Sequence, residues 1–422
     1  MSTVRRRLGV AATAVALVPV YAGTAQAASV RAETASVIAD WNAVAVTTLS
    51  GDATKVVPES FLYLGFVHAA IYDAVVGLHP RYEPYRRHGQ APRGASATAA
   101  AAAAGHKILE TYSPYAQSAL DTALATSLAT VPDGAAKRTG IAYGERVARD
   151  LIAQRADDGR NASVQYTPAP APGVWRPTPP ANLPMAVPWL GRVTPLLARS
   201  AAQFTPPAPP TLTSRRYTRD FAEAKAMGSA TSTVRTAAQT ATARFFAGNA
   251  VVQINAALRD QATTRNLDIV DSARMFAATA MTTADVAILT WRSKLDRAYW
   301  RPITAIHEAA ADGNPATSPD PAWTPLIATP NYPDYVGGYN SVVAASTRAL
   351  EYVVGPRLDL DLISTAVPGE VRHYRSGAAL RADVVDARVW LGIHFRTADT
   401  AARTLGVELA DWTARHYFRA VH

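Results

Sequence analysis

The chain of 422 residues contains no cysteine. The absence of thiols excludes disulfide bonds, zinc bound by thiolates and catalysis by a cysteine nucleophile. Beyond the first 27 residues we find no apolar run of about 20 residues, so the sequence predicts no membrane span. Basic runs interleaved with aromatic residues are also missing, and nucleic-acid binding is therefore not indicated. The sequence does not indicate an oligomeric state.

The N-terminal 27 residues have the pattern of a secretory signal peptide. Arg5, Arg6 and Arg7 precede an apolar stretch at 8–21, and the small residues at 25–27 form a cleavage site. The adjacent arginines leave a twin-arginine route open beside the general one. A membrane anchor is the alternative, but the apolar stretch is short. We therefore predict a secreted protein, whose net charge falls from +9 to 9 − 3 = +6 on removal of these arginines.

Residues 28–422 are predicted to form a single all-α domain, a multi-helix bundle. The segment FLYLGFVHAAIYDAVVGL at 61–78 has helical periodicity and is apolar around most of its circumference, as in a buried helix. Residues 164–212 differ, because they hold 13 of the 29 prolines. The large aromatic residues Trp175, Trp189 and Phe204 favour an ordered surface excursion there over a flexible linker.

Two cations lie seven residues apart in the segment that ends with Pro302. On one helix, Lys294 and Arg301 would project within about 20° of each other. Two cations on one face, beside Tyr299 and Trp300, could clamp an oxyanion. The alternative is a solvated cationic stripe.

Arg388 and His394 form a second pair, in the segment DARVWLGIHFR. Side chains six residues apart on a straight helix point about 120° apart, so the two converge only if the helix bends or breaks. Gly392 could supply that break. An isolated histidine can equally be a structural core residue.

A glycine pair occurs in YPDYVGGYNS at 332–341, just before a predicted helix. Gly337 and Gly338 could leave backbone N–H groups free to bind an anion, or they could form an ordinary turn.

The order Lys-x6-Arg-Pro, glycine turn, Arg-x5-His resembles the vanadium-dependent haloperoxidases and the related type 2 phosphatidic acid phosphatases. The segments at 66–85, 299–335 and 387–399 are similar to the secreted bacterial haloperoxidase branch, and the resemblance covers most of 35–418. It implies vanadate as the cofactor, or phosphate in its place. Hydrogen peroxide, a halide and a small organic substrate would be the reactants.

The resemblance also implies a role for each residue of the pattern. His394 would bond to the vanadium of vanadate, or attack phosphorus in a phosphatase. Lys294, Arg301 and Arg388 would neutralise the oxygens of the anion, and Lys294 would also polarise bound peroxide. The backbone N–H of Gly338 would donate to one of these oxygens.

The middle motif departs from the Pro-Ser-Gly-His of the family. Gly337 stands at the serine position and Tyr339 at the histidine position, so five of seven motif residues remain. A phenol, with a reference pKa of about 10, is poorly matched to proton transfer near neutral pH. This departure favours anion binding over turnover. It leaves open a haloperoxidase, an acid phosphatase acting through His394, and a non-redox or non-catalytic member.

Three further residues are candidates for supporting roles. Asp334 and Asp386 could orient Arg388 or another arginine, although Asp386 is too close in sequence to Arg388 to face it readily. His307 could lie at the rim of the pocket.

Overall fold

The computed structural model describes residues 35–421, so the predicted signal peptide lies outside the described residues. Within them, thirteen α-helices and one small sheet confirm the all-α prediction. The helices are α1 Ser36–Gly51, α2 Val57–Leu78, α3 Ala97–Tyr112, α4 Gln117–Ala129, α5 Ala135–Gln154, α6 Arg215–Met227, α7 Ala237–Phe245, α8 Ala250–Thr264, α9 Ile269–Arg297, α10 Pro302–His307, α11 Gly338–Val354, α12 Gly377–Trp390 and α13 Arg396–His416. Strands β1 Leu360–Ile363 and β2 Val371–Tyr374 pair antiparallel, with Leu360 opposite Tyr374.

Helices α2 and α9 form the centre of the bundle. Every residue from Glu59 to Val76 is buried, in agreement with the prediction from its apolar circumference. Gly65 lets α9 approach closely, because a Cβ at this position would lie 2.7 Å from Ala284 Cβ. By length and composition α2 is apolar enough to cross a membrane, so the sequence-based statement that no apolar run of this length follows residue 27 was wrong. However, 89% of its apolar window is buried inside the fold, as in a core helix.

The C-terminal half of the bundle is built on the pair α11 and α13. Gly406 in α13 faces the backbone of α11, and a Cβ there would lie 2.5 Å from the carbonyl oxygen of Ser341. The two helices therefore touch at backbone distance near the start of α11. The loops that precede α11 and α13 are consequently held next to each other.

The proline-rich segment 164–212 is an ordered excursion, as predicted. It contains one short 3-10 helix, Pro188–Arg192, and it buries Trp175 almost completely. The carboxylate of Asp285, in the middle of α9, accepts hydrogen bonds of 2.6–2.8 Å from the backbone N–H groups of residues 196–198. One buried acid thus anchors the excursion to the central helix.

This anchor predicts a large loss of stability for Asp285→Ala. Three buried N–H groups would lose their acceptor, and we expect a cost of about 3 kcal/mol in the free energy of unfolding, measured by urea denaturation. Asp296→Ala is the matched control, because Asp296 lies on the same helix but is exposed and pairs only with Arg292. It should cost less than about 1 kcal/mol. Equal losses in the two variants would contradict the anchoring role.

Candidate active site

Four side chains singled out from the sequence lie together in the interior of the bundle. Lys294 and Arg301 are fully buried, His394 is 1% exposed and Arg388 is 6% exposed. The last three of these residues lie at different places along the chain: Arg301 precedes α10, Arg388 is in the last turn of α12, and His394 follows α12. This burial rules out the solvated cationic stripe that the sequence left open.

The proposed single helix face for Lys294 and Arg301 was wrong. Helix α9 ends at Arg297, and Ala298 has φ of +45°, so the chain turns before it reaches Arg301. The turn nevertheless brings both cations to one aromatic ring. Lys294 Nζ and Arg301 Cζ each lie 4.9 Å from the centre of the Tyr332 ring.

Lys294 is bound by the loop that precedes α11. Its Nζ donates to the carbonyl oxygens of Pro333 at 2.6 Å, Asp334 at 3.1 Å and Val336 at 2.7 Å. An ammonium group has three N–H donors, and these three carbonyls engage all of them. Burial and the neighbouring Arg301 guanidinium lower the pKa of Lys294 well below its usual value. In this structure, Lys294 therefore fixes the loop rather than facing a ligand.

The predicted helix break between Arg388 and His394 is present in the structure. Helix α12 ends at Trp390, and Gly392 has φ of +77°. A Cβ at Gly392 would also lie 2.3 Å from the carbonyl oxygen of Gly228, so both conformation and space favour glycine here. Arg388 and His394 can then point into the same region although they are six residues apart.

His394 is oriented by a carboxylate. Its Nδ1 lies 2.6 Å from Asp334 Oδ1, and its Nε2 lies 3.3 Å from Arg301 Nη1. Burial and the cations Arg301, Arg388 and Lys294 lower the pKa of His394 well below its ordinary value, so the ring is neutral. Burial raises the pKa of Asp334 to about 7, and once ionised it accepts the Nδ1 proton. The Nε2 lone pair is then the reactive end of the ring.

Two guanidinium groups in the cluster have N–H donors without a partner. Arg301 donates through Nε to Tyr332 O at 2.8 Å and through Nη1 to Ile393 O at 2.6 Å, but its Nη2 is unpaired. Arg388 donates through Nη1 to Phe246 O at 3.0 Å, and its Nε is unpaired. A buried donor without a partner costs about 1–3 kcal/mol. Such atoms call for a ligand that supplies acceptors.

The glycine pair forms the start of α11. Gly337 is the N-cap residue, without a side-chain cap, and Gly338 is the first helical residue. The N–H of Gly337 donates to Ala398 O at 3.0 Å, so the uncapped donors begin at Gly338. The turn is therefore compatible with the predicted backbone donor at Gly338 and not with one at Gly337.

The contacts of Tyr339 are not those expected of an acid–base group. Its hydroxyl donates to Gln253 Oε1 at 2.5 Å, and the Arg388 guanidinium lies 4.8 Å from its ring centre. Burial raises the pKa of Tyr339 further above its ordinary value of 10. The phenol is thus even less suited to proton transfer near neutral pH than its reference value implies.

Asp399, which the sequence did not single out, completes the cluster. It is fully buried in the first turn of α13, and neither of its carboxyl oxygens has a hydrogen-bond partner of normal geometry. Its Oδ1 lies 3.8 Å from His394 Nδ1, and a Cβ built on Gly337 would lie 2.0 Å from the same Oδ1. Burial and the nearby Asp334 raise the pKa of Asp399 well above its usual value.

The comparisons with known proteins concern the fold that carries this cluster. A family model for the VCPO second helical-bundle domain matches residues 274–422, a range that includes every candidate from Lys294 to Asp399. Vanadium chloroperoxidase of Curvularia inaequalis is 24% identical over 490 aligned positions, which cover 86% of this chain and 79% of that protein. These two matches support the vanadium haloperoxidase superfamily for this chain.

Solved structures of bacterial enzymes share the fold. The first bacterial vanadium-dependent iodoperoxidase superposes with a TM-score of 0.77 at 21% identity, covering 90% of this chain and 95% of that one. The apo form of a bacterial vanadium-dependent chloroperoxidase gives a TM-score of 0.68 at 17% identity, with 85% and 92% covered. At these identities the likeness establishes the fold alone.

Two predicted supporting residues lie outside the cluster. His307 Nε2 lies 2.7 Å from the carbonyl oxygen of Trp323, and Asp386 pairs with Arg396 at 2.7 Å. Asp334 is the supporting residue that the structure does bring in, and its main partner is His394 rather than an arginine. Asp399 could have been suspected from its position five residues after His394 in HFRTAD.

A small cavity lies next to the cluster of buried cations. It has a volume of ≈ 70 Å³ and is lined by Tyr339, Arg388, Gly338, Trp291 and Tyr332, and otherwise mainly by apolar side chains of α2, α8 and α9. Arg388 belongs to the lining of this cavity, whereas Lys294, Arg301 and His394 do not.

The environment of His394 predicts that its ring stays neutral well below pH 6.5. Its pKa is lowered, so the ring binds a proton only in more acidic solution than a free histidine does. Nitrogen-15 NMR on histidine-labelled protein should show a neutral ring at pH 6, and above pH 7, where Asp334 is ionised, the ring proton should lie on Nδ1. His394→Gln identifies the signal by its loss. A signal that titrates at or above pH 6.5 would contradict the assignment.

Proposed function

We propose that the cluster around His394 binds a tetrahedral oxyanion, vanadate, and that the protein is an exported enzyme that oxidises halide with hydrogen peroxide. The observation that carries the proposal is the pair of buried, unpaired guanidinium donors, Arg301 Nη2 and Arg388 Nε, beside a neutral imidazole. In the absence of a ligand this arrangement leaves two charged donors unsatisfied, which is costly in a buried cluster.

The chain's own residues fit the anion in three ways. Arg301 and Arg388 provide the unpaired N–H donors, and Gly338 begins a helix whose first turn has no side-chain cap. His394 directs an Nε2 lone pair away from Asp334 and could bond to the vanadium. Bound vanadate would supply a Lewis-acidic centre for the activation of peroxide, as metal centres do.

The relatives support peroxide-dependent halide oxidation over phosphoryl transfer. The relatives described above are two chloroperoxidases and one iodoperoxidase, all named for vanadium. A phosphatase would need an acid to protonate its leaving group, and Tyr339 has a raised pKa and a hydroxyl bonded to Gln253. Phosphate is therefore proposed as a competing ligand rather than as part of a substrate.

Lys294 has a different part in this proposal from the one that the family resemblance implies. Its three donors hold the loop that carries Asp334, and Asp334 in turn orients His394. Lys294 would then act on the anion through its charge, without a direct hydrogen bond. A direct contact with peroxide would require one of the three carbonyl contacts to open.

The first functional prediction concerns Arg388. Arg388→Ala removes an unpaired charged donor and should weaken orthovanadate binding by about 10- to 100-fold, measured by isothermal titration calorimetry. Arg357→Ala is the control, because Arg357 is 79% exposed and pairs with Asp359 at the surface. It should bind orthovanadate like the unchanged protein.

The same proteins test the reaction. Vanadate-loaded protein should brominate a dione substrate with peroxide and bromide, and His394→Ala should abolish both binding and bromination. Binding without bromination would overturn the enzymatic half of the proposal and leave a non-catalytic anion-binding protein. If orthovanadate does not bind to the unchanged protein, the proposal fails as a whole.

Tyr339→His should increase turnover. An imidazole at this position has a pKa near neutrality, and acid–base catalysis typically contributes about 10²–10⁴-fold, so we expect at least about a tenfold gain in the bromination rate. Tyr339→Phe removes the hydroxyl without adding a base and should give no gain. An equal rate for the two variants would show that proton transfer at this position does not limit the reaction.

A further inference from the structure

A second cavity lies at the opposite end of the helices that surround the candidate active site. It has a volume of ≈ 220 Å³ and lies between the N-terminal part of α9, the C-terminal parts of α11 and α13, and the segment that follows α13. Arg274 in its wall and Lys294 in the active site are 294 − 274 = 20 residues apart on α9, or about 30 Å along the helix axis. A ligand in this cavity would therefore occupy a site separate from His394.

Small side chains leave this space open. Each of the three helices contributes alanine to the wall, with Ala278 from α9, Ala349 from α11 and Ala414 from α13. An apolar cavity of about 150 Å³ is large enough to bind benzene. The larger volume here therefore has room for a single ring that carries a small substituent.

The aromatic residues of the wall contribute rings rather than free hydroxyl groups. The hydroxyl of Tyr352 donates to Asp411 Oδ1 at 3.2 Å, and that of Tyr417 donates to the carbonyl oxygen of Leu197 at 3.0 Å. Phe418 adds a third ring to the wall. Because both hydroxyls are bonded elsewhere, the three rings offer apolar surface on which an aromatic ligand can pack.

Arg274 brings a charged group with free donors to the wall. Its Nε donates to the carbonyl oxygen of Phe418 at 2.9 Å, and its guanidinium carbon lies 4.4 Å from the centre of the Tyr82 ring. Within residues 35–421 its Nη1 and Nη2 form no hydrogen bond, and it has no ion-pair partner. Asp271, one turn earlier on α9, pairs with Arg81 at 2.9 Å instead. The guanidinium is thus held in place while its outer donors remain available.

Arg419, the other charged residue of the wall, is already neutralised. Its Nε and Nη2 donate to the Glu83 carboxylate at 3.0 and 2.9 Å, and its side chain is 56% exposed. No acidic residue of the described chain lines the cavity. The uncompensated charge of the wall is therefore positive and comes from Arg274.

Thr413 adds an unsatisfied hydroxyl. It lines the cavity and is 2% exposed, and its Oγ1 has no hydrogen-bond partner in the part of the chain that the structure describes. The buried Thr279 in α9 and Thr347 in α11, by contrast, donate to the carbonyl four residues earlier at 2.8 and 2.7 Å. A buried hydroxyl without a partner is destabilising, and a polar group of a ligand would relieve this.

We propose that this cavity binds a small aromatic carboxylate. Its carboxylate accepts hydrogen bonds from Nη1 and Nη2 of Arg274, since a guanidinium group matches the two oxygens of a carboxylate. Its ring packs against the aromatic wall, and Thr413 supplies a further polar contact. The proposal goes beyond the proposed function and does not depend on it, because no residue of this wall belongs to the cluster around His394.

Benzoate is the probe for this site. Isothermal titration calorimetry on the full chain should show one benzoate bound with a Kd of about 1 mM or tighter. Benzyl alcohol has the same ring without the charge and should bind at least about tenfold more weakly. An excess of orthovanadate should leave the affinity for benzoate unchanged. Failure of benzoate to bind at about 10 mM, or its displacement by orthovanadate, would overturn the proposal.

Arg274→Gln removes the charge and keeps most of the side chain. It should weaken benzoate binding by at least about tenfold and leave the binding of benzyl alcohol within about threefold of the unchanged protein. Arg415→Gln is the matched control, because Arg415 is exposed near the same end of α13 and does not line the cavity. It should change benzoate binding by less than about twofold. Equal losses in the two variants would indicate a general attraction of anions and would overturn the proposal.

Two variants test the cavity itself and keep the test decisive if Arg274→Gln does not fold. Ala414→Leu fills the space and should weaken the binding of both benzoate and benzyl alcohol by at least about tenfold. Thr413→Val removes a hydroxyl that has no partner, so the protein should stay folded by circular dichroism while benzoate binds at least about threefold more weakly. Unchanged benzoate affinity in these two variants would show that benzoate binds elsewhere.

Discussion

The burial of three cations in one cluster is the constraint on which the rest of the site depends. Removal of a charge from water costs several kcal/mol even in a relaxed protein interior, and neighbouring like charges add to this cost. Backbone carbonyl acceptors offset the cost of burial to a different extent for each of the three cations. Lys294 has three carbonyl acceptors, Arg301 has two and an unpaired Nη2, and Arg388 has one and an unpaired Nε.

The loop from Tyr332 to Gly337 is held by the same cations. Arg301 binds the carbonyl of Tyr332, and Lys294 binds those of Pro333, Asp334 and Val336. The loop in turn presents the Asp334 carboxylate to His394 and sets the start of α11. In the proposed anion site, the same charges would therefore also build the scaffold, so that little reorganisation would be needed when the anion enters. This double use explains why Lys294 can matter for the anion without touching it.

The residues of the candidate site could be predicted from the sequence more fully than their arrangement in space. The pairing of Lys294 with Arg301 was anticipated on a single helix, whereas a turn at Ala298 joins them, and seven-residue spacing cannot distinguish the two. The break between Arg388 and His394 was foreseeable, because a straight helix would separate them and Gly392 was available. The bond from Tyr339 to Gln253 spans 86 residues and has no local signal. Asp399 escaped notice because an acid in the first turn of a helix is ordinarily explained by the helix dipole.

The space that the side chains around Gly337 fill therefore describes the middle motif better than its residue types do. Loss of a serine and a histidine from such a motif suggests a site that has decayed. In a decayed pocket, however, the buried acid and the arginines would be expected to close on one another, since direct pairing would relieve the unsatisfied donors and acceptors at once. Instead Asp399 fills the space beside Gly337 while Arg301 Nη2 and Arg388 Nε stay unpaired. These groups stay unpaired at a cost in stability, and under the proposed function a bound oxyanion would reduce that cost.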